Sequence, residues 1–292
     1  MDTIDAFLRA EMEPLQYGVF FGALVVLAIL ELFAYRSSKA PQRYRRWPTN
    51  VGLTILNIIV TGAIPVSGVF ISDYARENSI GILNILEVAP VIALAIGFWF
   101  RSFVSWATHL AMHRIPLLWR VHRVHHTDPY LDVSTTVRFH PIECLINTPI
   151  LLASLLMMGI SPITLMLYEL LDTAMAVFTH ANIRFPRRLE RVMRFVLVTP
   201  DMHRVHHSSW QPETDSNYGA TLSVWDHVFR TYRDKSPEAL PSMQLGLAEC
   251  QDDRSTSFWW LMTLPFRSRY LSENTFLTPQ GFGLSENKAN RR

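Results

Sequence analysis

The sequence predicts an all-α polytopic membrane protein with about four transmembrane helices. Three observations carry that reading. The 292 residues are 49% hydrophobic and only 18% charged, with a mean hydropathy of +0.13; an ordinary soluble domain carries about 25% charge. Three apolar runs of membrane length crowd the first hundred residues. A fourth run, from Cys144 to Tyr168, is 25 residues without a charge. The net charge of +2 is too small for a nucleic-acid footprint. The two cysteines, Cys144 and Cys250, make neither a disulfide framework nor a C-x-x-C metal pair.

The elements follow in order. Asp2, Asp5, Glu11 and Glu13 make the N-terminus acidic, and no small-residue cleavage site follows, so it does not read as a secretory signal. Tyr17 to Tyr35 is 19 residues with Glu31 as its one charge, Asn50 to Ser72 is 23 residues with none, and Ile80 to Phe100 is 21 interrupted by Glu87. Each is long enough to cross a hydrocarbon core of about 30 Å as a helix. The linker between the first two carries Arg36, Lys39, Arg43, Arg45 and Arg46. By the positive-inside rule that linker is cytoplasmic, and so is the chain just after Phe100.

Cys144 to Tyr168 is broken at Gly159-Ile-Ser-Pro162, and His140 and His180 flank it. One continuous helix would part those imidazoles by about 60 Å, whereas a hairpin returns them to one side. The hairpin is the expectation. Beyond Asn182, Arg184, Arg187, Arg188, Arg191 and Arg194 alternate with Phe185, Leu189, Val192 and Phe195, as in a helix lying on an anionic membrane surface. Phe258 to Tyr270, with Trp259, Trp260, Arg267 and Arg269, is a second interfacial candidate, and the last twenty residues look polar and loosely ordered. The chain thus divides into N-terminal transmembrane helices (1–100), a histidine-rich catalytic region (101–235) and a C-terminal interfacial segment and tail (236–292).

All 11 histidines fall between His109 and His227. His109 and His113 stand four apart, so on a helix both project from one face and can grip one metal. His122-Arg-Val-His-His126 recurs literally as His203-Arg-Val-His-His207. In a helix the first and last histidines of each box are i, i+4, while His125 and His126, or His206 and His207, sit about 100° apart and can reach different metals. A single histidine is more often a hydrogen-bonded structural residue. Two identical boxes and a third pair are not explained that way. Imidazole suits Zn, Fe, Cu or Ni. A zinc peptidase would need H-E-x-x-H, and position 110 is Leu. Adding His140 and His180 makes ten imidazoles, five for each of two metals, which suits two irons that activate O2. Copper storage, metal transport and a membrane haem remain as rivals. The sharpest of these, from another class, is a membrane metal-binding or transport protein without catalysis.

These residues resemble the fatty acid hydroxylase/sterol desaturase superfamily of membrane di-iron oxygenases, over roughly Trp99 to Tyr232. The resemblance rests on His109-x3-His113, Leu118-Trp-Arg-Val-His-Arg-Val-His-His126, Arg138-Phe-His-Pro-Ile-Glu143 and His180-Ala-Asn182. It continues with Thr199-Pro-Asp-Met-His-Arg-Val-His-His-Ser208, and Asn217-Tyr-Gly219 leading into Trp225-Asp-His-Val-Phe229. It implies a four-helix membrane base of two hairpins with a cytosolic histidine cap. In that cap His109, His113, His122, His125, His126, His140, His180, His203, His206 and His207 would hold two Fe ions. His227 stands where the family usually has another residue and is read as structural. The implied chemistry is O2-dependent oxidation of an unactivated C–H bond of a membrane lipid, by hydroxylation or desaturation. The chain has no His-Pro-Gly-Gly haem signature, no Gly-x-Gly-x-x-Gly loop and no iron–sulfur cysteine set. Electrons would then come from a separate electron-transfer protein. Trp99, Trp106, Met112, Met157 and Met158 are candidates for a lipid channel, with core packing the blander role for each.

Overall fold

In the computed structural model, which describes residues 2–34, 42–236 and 239–267, every extended element is a helix. Strand pairing among the described residues is limited to isolated bridges, Leu197 with Leu222 and Ser208 with Leu245. Tyr35, Arg36 and Lys39 of the basic linker, Arg269 and Tyr270, and the last twenty residues lie outside the described residues.

The first apolar run is the second half of a longer helix, α1 (Asp2–Phe33). The second run does not form one span. It is split between α2 (Arg43–Gly62) and α3 (Gly68–Glu77). Pro65 lies in the break, and the Ser67 side chain caps α3 by accepting from Phe70 N–H. The third run is also cut, by a short α4 (Ile82–Ile85) and a turn before Pro90. Pro90 opens α5 (Pro90–Arg114), which runs unbroken through the boundary expected at residue 100 and ends just past His113. Pro116 then starts α6 (Pro116–His126).

The hairpin is present as α7 (Pro141–Met158) and α8 (Pro162–His180). Gly159 takes a left-handed φ of 74°, as a helix C-terminus favours. Gly81 sits against this turn so closely that a Cβ there would lie 2.2 Å from Gly159 N. Shorter helices follow among the described residues: α9 (Arg187–Met193), α10 (Pro200–His206), α11 (Gln211–Thr214), α12 (Val224–Val228) and α13 (Phe258–Thr263). The arginines of α9 are exposed, as are Leu189, Val192 and Phe195.

Among the described residues, four helices are long and apolar enough to cross a membrane: Thr3–Phe33, Pro90–Arg114, Pro141–Met158 and Pro162–His180. Their outer faces leave side chains such as Val26, Ile29, Ile92 and Leu145 exposed, as lipid contact would require. Half of the apolar window of α8 is buried, against 6% in α1. α8 is therefore the central strut. Its first turn packs on Leu8 of α1, and its last turn packs on Phe20, Leu24 and Leu27.

One end of this bundle gathers charge. Glu31, near the end of α1, accepts from Arg43 at 2.5 Å and from the backbone N–H groups of Val133 and Asn182. Arg46, fully buried, donates to both Asp128 oxygens at 2.6 Å and to Asp132 at 2.9 Å. Arg138 donates to Asn50, to Thr127, to the Val124 carbonyl and to the Ser255 carbonyl. These bonds lock the segment after α6 onto α2, at the end of the bundle where His109, His126 and His180 also lie. At the opposite end Arg9 pairs with Asp73.

Candidate metal centre

Helical spacing decides which histidines meet. His109 and His113, one turn apart on α5, converge with His122 and His126 of α6 and His206 of α10. His125 of α6, His180 of α8 and His203 and His207 from α10 and its cap form a second group. Within each group the candidate ligand atoms all lie within 4.8 Å of one another. Each box therefore keeps its i, i+4 pair in one group and lends its remaining histidine to the other. The groups adjoin: the rings of His126 and His207 stack with centroids 4.6 Å apart, while within the first group the rings of His113 and His206 meet that of His126 edge-on.

Hydrogen bonds on the outer side set the tautomers. His109 Nδ1 lies 2.7 Å from the Tyr218 carbonyl, His206 Nδ1 2.7 Å from Ser216 O and His180 Nδ1 2.7 Å from Ala176 O. His122 Nδ1 is 2.8 Å from the Glu143 carboxylate, and His113 Nδ1 is 3.4 Å from Asp215. A proton held there leaves the Nε2 lone pair facing inward, which is the arrangement that orients metal-binding imidazoles. Inward, His113 Nε2, His206 Nε2 and both nitrogens of His126 are buried without a hydrogen-bond partner. In the second group Nε2 atoms face one another at 3.0–3.1 Å along His125, His180, His203 and His207. So many converging lone pairs repel unless a cation lies among them. Burial, and then the neighbouring histidines, hold His125, His126, His203 and His207 well below the ordinary imidazole range, and burial holds His206 at about 3. All five are neutral at pH 7, the form that binds metal. The donor set fits metal ions of imidazole preference.

The structure does not bring His140 to either group. Its Nδ1 accepts from Ile142 N–H, capping α7, and its Nε2 faces the Met262 carbonyl at 3.2 Å. The hairpin does return His140 to the correct end of the bundle, but a residue at a helix N-cap points its ring along the helix start. Nine imidazoles converge, five and four. His227 lies at the surface between Tyr232 and Phe195, in keeping with a structural role.

The family model for fatty acid hydroxylases matches residues 94–231. That stretch, a little under half of the chain, is similar to the fatty acid hydroxylase family. The matched stretch begins in α5, ends just past α12 and holds all nine converging histidines. An ornithine lipid hydroxylase of Rhizobium tropici is 29% identical over 53% of this chain and 45% of its own length. An alkylglycerol monooxygenase of Danio rerio is 24% identical over 66% of this chain and 48% of its own, and a cholesterol 25-hydroxylase-like protein of the same fish is 30% identical over 52% and 57%. The chain spans about half the length of the curated relatives it matches. No solved structure matches it.

Family motifs outside the boxes acquire physical reasons here. Asn217 takes a positive φ of 52°, and its side chain bonds the Met202 and Arg233 carbonyls and Arg233 N–H. Buried Asp226 accepts from Tyr218 N–H, Gly219 N–H, Thr231 and Trp106. Together they hold the Tyr218 carbonyl against His109. Any side chain at Gly219 would meet the Leu222 carbonyl at 2.6 Å. Glu143, Asp215 and Asp226 are functional neighbours that the histidine pattern alone did not single out. Glu143 and Asp226 stood only as acidic members of quoted motifs, and Asp215 lay outside them.

A cavity of about 300 Å³ adjoins both groups and descends between α5, α7 and α8. His109, His122, His125, His180 and His203 line one end; Val104, Met112, Ile150, Leu151 and Ala176 supply apolar walls. Of the suggested channel residues, Met112 lines this cavity, while Trp106 is buried and bonds Asp226. The histidine cluster thus opens onto a largely apolar cavity between the long helices.

Proposed function

We propose that this chain is an O2-dependent membrane oxidoreductase that hydroxylates or desaturates a C–H bond of a lipid, with two irons held by the nine converging imidazoles. The cavity between α5, α7 and α8, which places an apolar wall directly against both histidine groups, is the observation that carries this reading. The names of the relatives, hydroxylases and monooxygenases of lipids, support it. When bound, such ions supply the redox chemistry that couples O2 reduction to C–H oxidation. The chain's own residues do the rest. α5, α6, α8 and α10 present rigid imidazoles, Glu143 and three carbonyls hold their tautomers, and the bundle keeps bulk water from the reacting chain. The electrons are assigned to a separate electron-transfer protein. The histidine end is assigned to the cytoplasm, with residues 101–235 as the catalytic part. A storage or transport protein is the second reading, and it has no use for an apolar cavity at its ligands.

Metal analysis tests the stoichiometry. Protein purified without oxygen in mild detergent should carry close to two metals, chiefly iron, per chain. His125→Ala should lose at least one, since no other donor of the second group replaces it. One metal, unchanged in the variant, rejects the two-metal reading. Orientation is tested on a cysteine-free background. Single cysteines at Gln251 and at Ser209 should react with an impermeant thiol reagent from the cytoplasmic side alone, and one at Asn78 from the opposite side. Labelling of Gln251 and Asn78 from one side would contradict the topology.

A further inference from the structure

The cavity has a polar pole far from the histidines. Arg101 on α5 and Asp172 on α8 line it, each eight residues before a converging histidine, His109 and His180. At 1.5 Å per residue both therefore lie about 12 Å from the ligands, toward the middle of the bilayer. Asp172 accepts from the hydroxyls of Thr221 and Tyr168. The Arg101 guanidinium lies 5.0 Å from the Tyr168 ring centroid, and its Nε is buried without a hydrogen-bond partner. Asn147 on α7 lines the same cavity with a buried, partnerless Oδ1.

Ionisable side chains within a membrane span are costly, and they are retained where they meet a ligand or one another. Packing does not require them here, because an aliphatic wall would close the same space at lower cost. The partnerless Arg101 N–H is a donor awaiting an acceptor oxygen. Asp172 and Asn147 offer acceptors for an O–H. An anionic group is disfavoured by the Asp172 carboxylate and by Glu169, which also acts electrostatically on this site. A cation is disfavoured by Arg101. The group that satisfies both a donor and acceptors, and carries no charge, is a hydroxyl.

We propose that Arg101, Asp172 and Asn147 bind a hydroxyl of the lipid substrate about 12 Å from the carbon that is oxidised, and so set which carbon that is. The distance corresponds to roughly nine or ten carbons of extended chain. The location of the oxidised carbon rests on the proposed function; the binding of the hydroxyl does not.

The test uses binding alone. Metal-loaded protein in lipid nanodiscs is titrated with 1-dodecanol, dodecane or dodecanoate, and thermal unfolding is followed. Dodecanol should raise Tm by about 3 °C or more, and the other two should do so far less. Arg101→Met should weaken the apparent affinity for dodecanol at least tenfold with metal content unchanged. Asp172→Asn provides an independent variant should Arg101→Met fail to fold, and it should weaken dodecanol by severalfold. Dodecane or dodecanoate matching dodecanol in the unmodified protein would overturn the proposal, and so would dodecanol preference surviving in every folded variant. Unmodified protein that takes up no metal yet still prefers dodecanol would count against the oxygenase reading and leave the hydroxyl site standing.

Discussion

Alanine at His122 or at His203 is expected to abolish lipid oxidation while the protein stays folded in the membrane. The two residues are the first histidines of the duplicated pentapeptide, and the structure assigns them to different groups. His122 sits between Glu143, 2.8 Å from its Nδ1, and His109, 3.1 Å from its Nε2. His203 is the middle of the second group, 3.0 Å from His180 and 3.1 Å from His207. Removing either ring takes away a donor that no neighbouring side chain can replace, and it would leave the ion of that group one ligand short. Losses of about 10⁴-fold or more in turnover are typical when one member of a concerted site is removed. The double variant should be scarcely slower than either single one, because each alone already disables the unit. A storage or transport protein would behave otherwise, losing metal capacity in graded steps as each group is weakened. Oxygen- and reductant-dependent product formation, measured on the two single variants and the double, separates these outcomes. Near-normal turnover in either single variant sinks the catalytic reading of the repeat.

The site was legible in the sequence to the extent that helix geometry is. A four-residue spacing places two imidazoles on one face whatever the tertiary structure, so His109 with His113, His122 with His126 and His203 with His207 could be paired from the chain alone. The 100° step between adjacent residues likewise separated His125 from His126. His140 misled for a reason the same geometry contains. It immediately precedes Pro141 at the start of α7, and an N-cap side chain turns back to the helix's own N–H groups. The spans were legible by hydropathy only where nothing competed with it. Pro65 and Pro90 cut two of the three early apolar runs into shorter pieces. Asp215 and Asp226 were illegible because their role lies in contacts across about a hundred residues of chain, with His113 and with Trp106.

Arg46 was read from sequence only as one of several cationic residues in a cytoplasmic linker, and here the structure changes the expectation most. Replacing it with Met is expected to destabilise the protein by about 3–5 kcal/mol, because it strands two buried carboxylates. Asp128 and Asp132 are at most 1% exposed, and Arg46 binds both. Burial alone would push the Asp128 carboxyl up; Arg46 and Arg138 outweigh it and hold the group below the ordinary carboxylate range. Asp128 is therefore charged at neutral pH and depends on its cations. Arg45, the preceding residue, is the contrast. It also pairs with an aspartate, Asp253 at 2.9 Å, but the two side chains are 43% and 78% exposed. Such an exposed pair is screened by solvent and contributes little to stability. Thermal unfolding in mild detergent should thus place Arg46→Met roughly 10 °C below the parent and Arg45→Met within about 2 °C of it. Adding Asp128→Asn and Asp132→Asn to Arg46→Met should recover part of the loss, since the damage comes from the stranded charges more than from the missing bonds. Equal melting of the two arginine variants would show that this buried network does not hold the segment after α6 in place. The histidines of α6 would then owe their positions to packing alone.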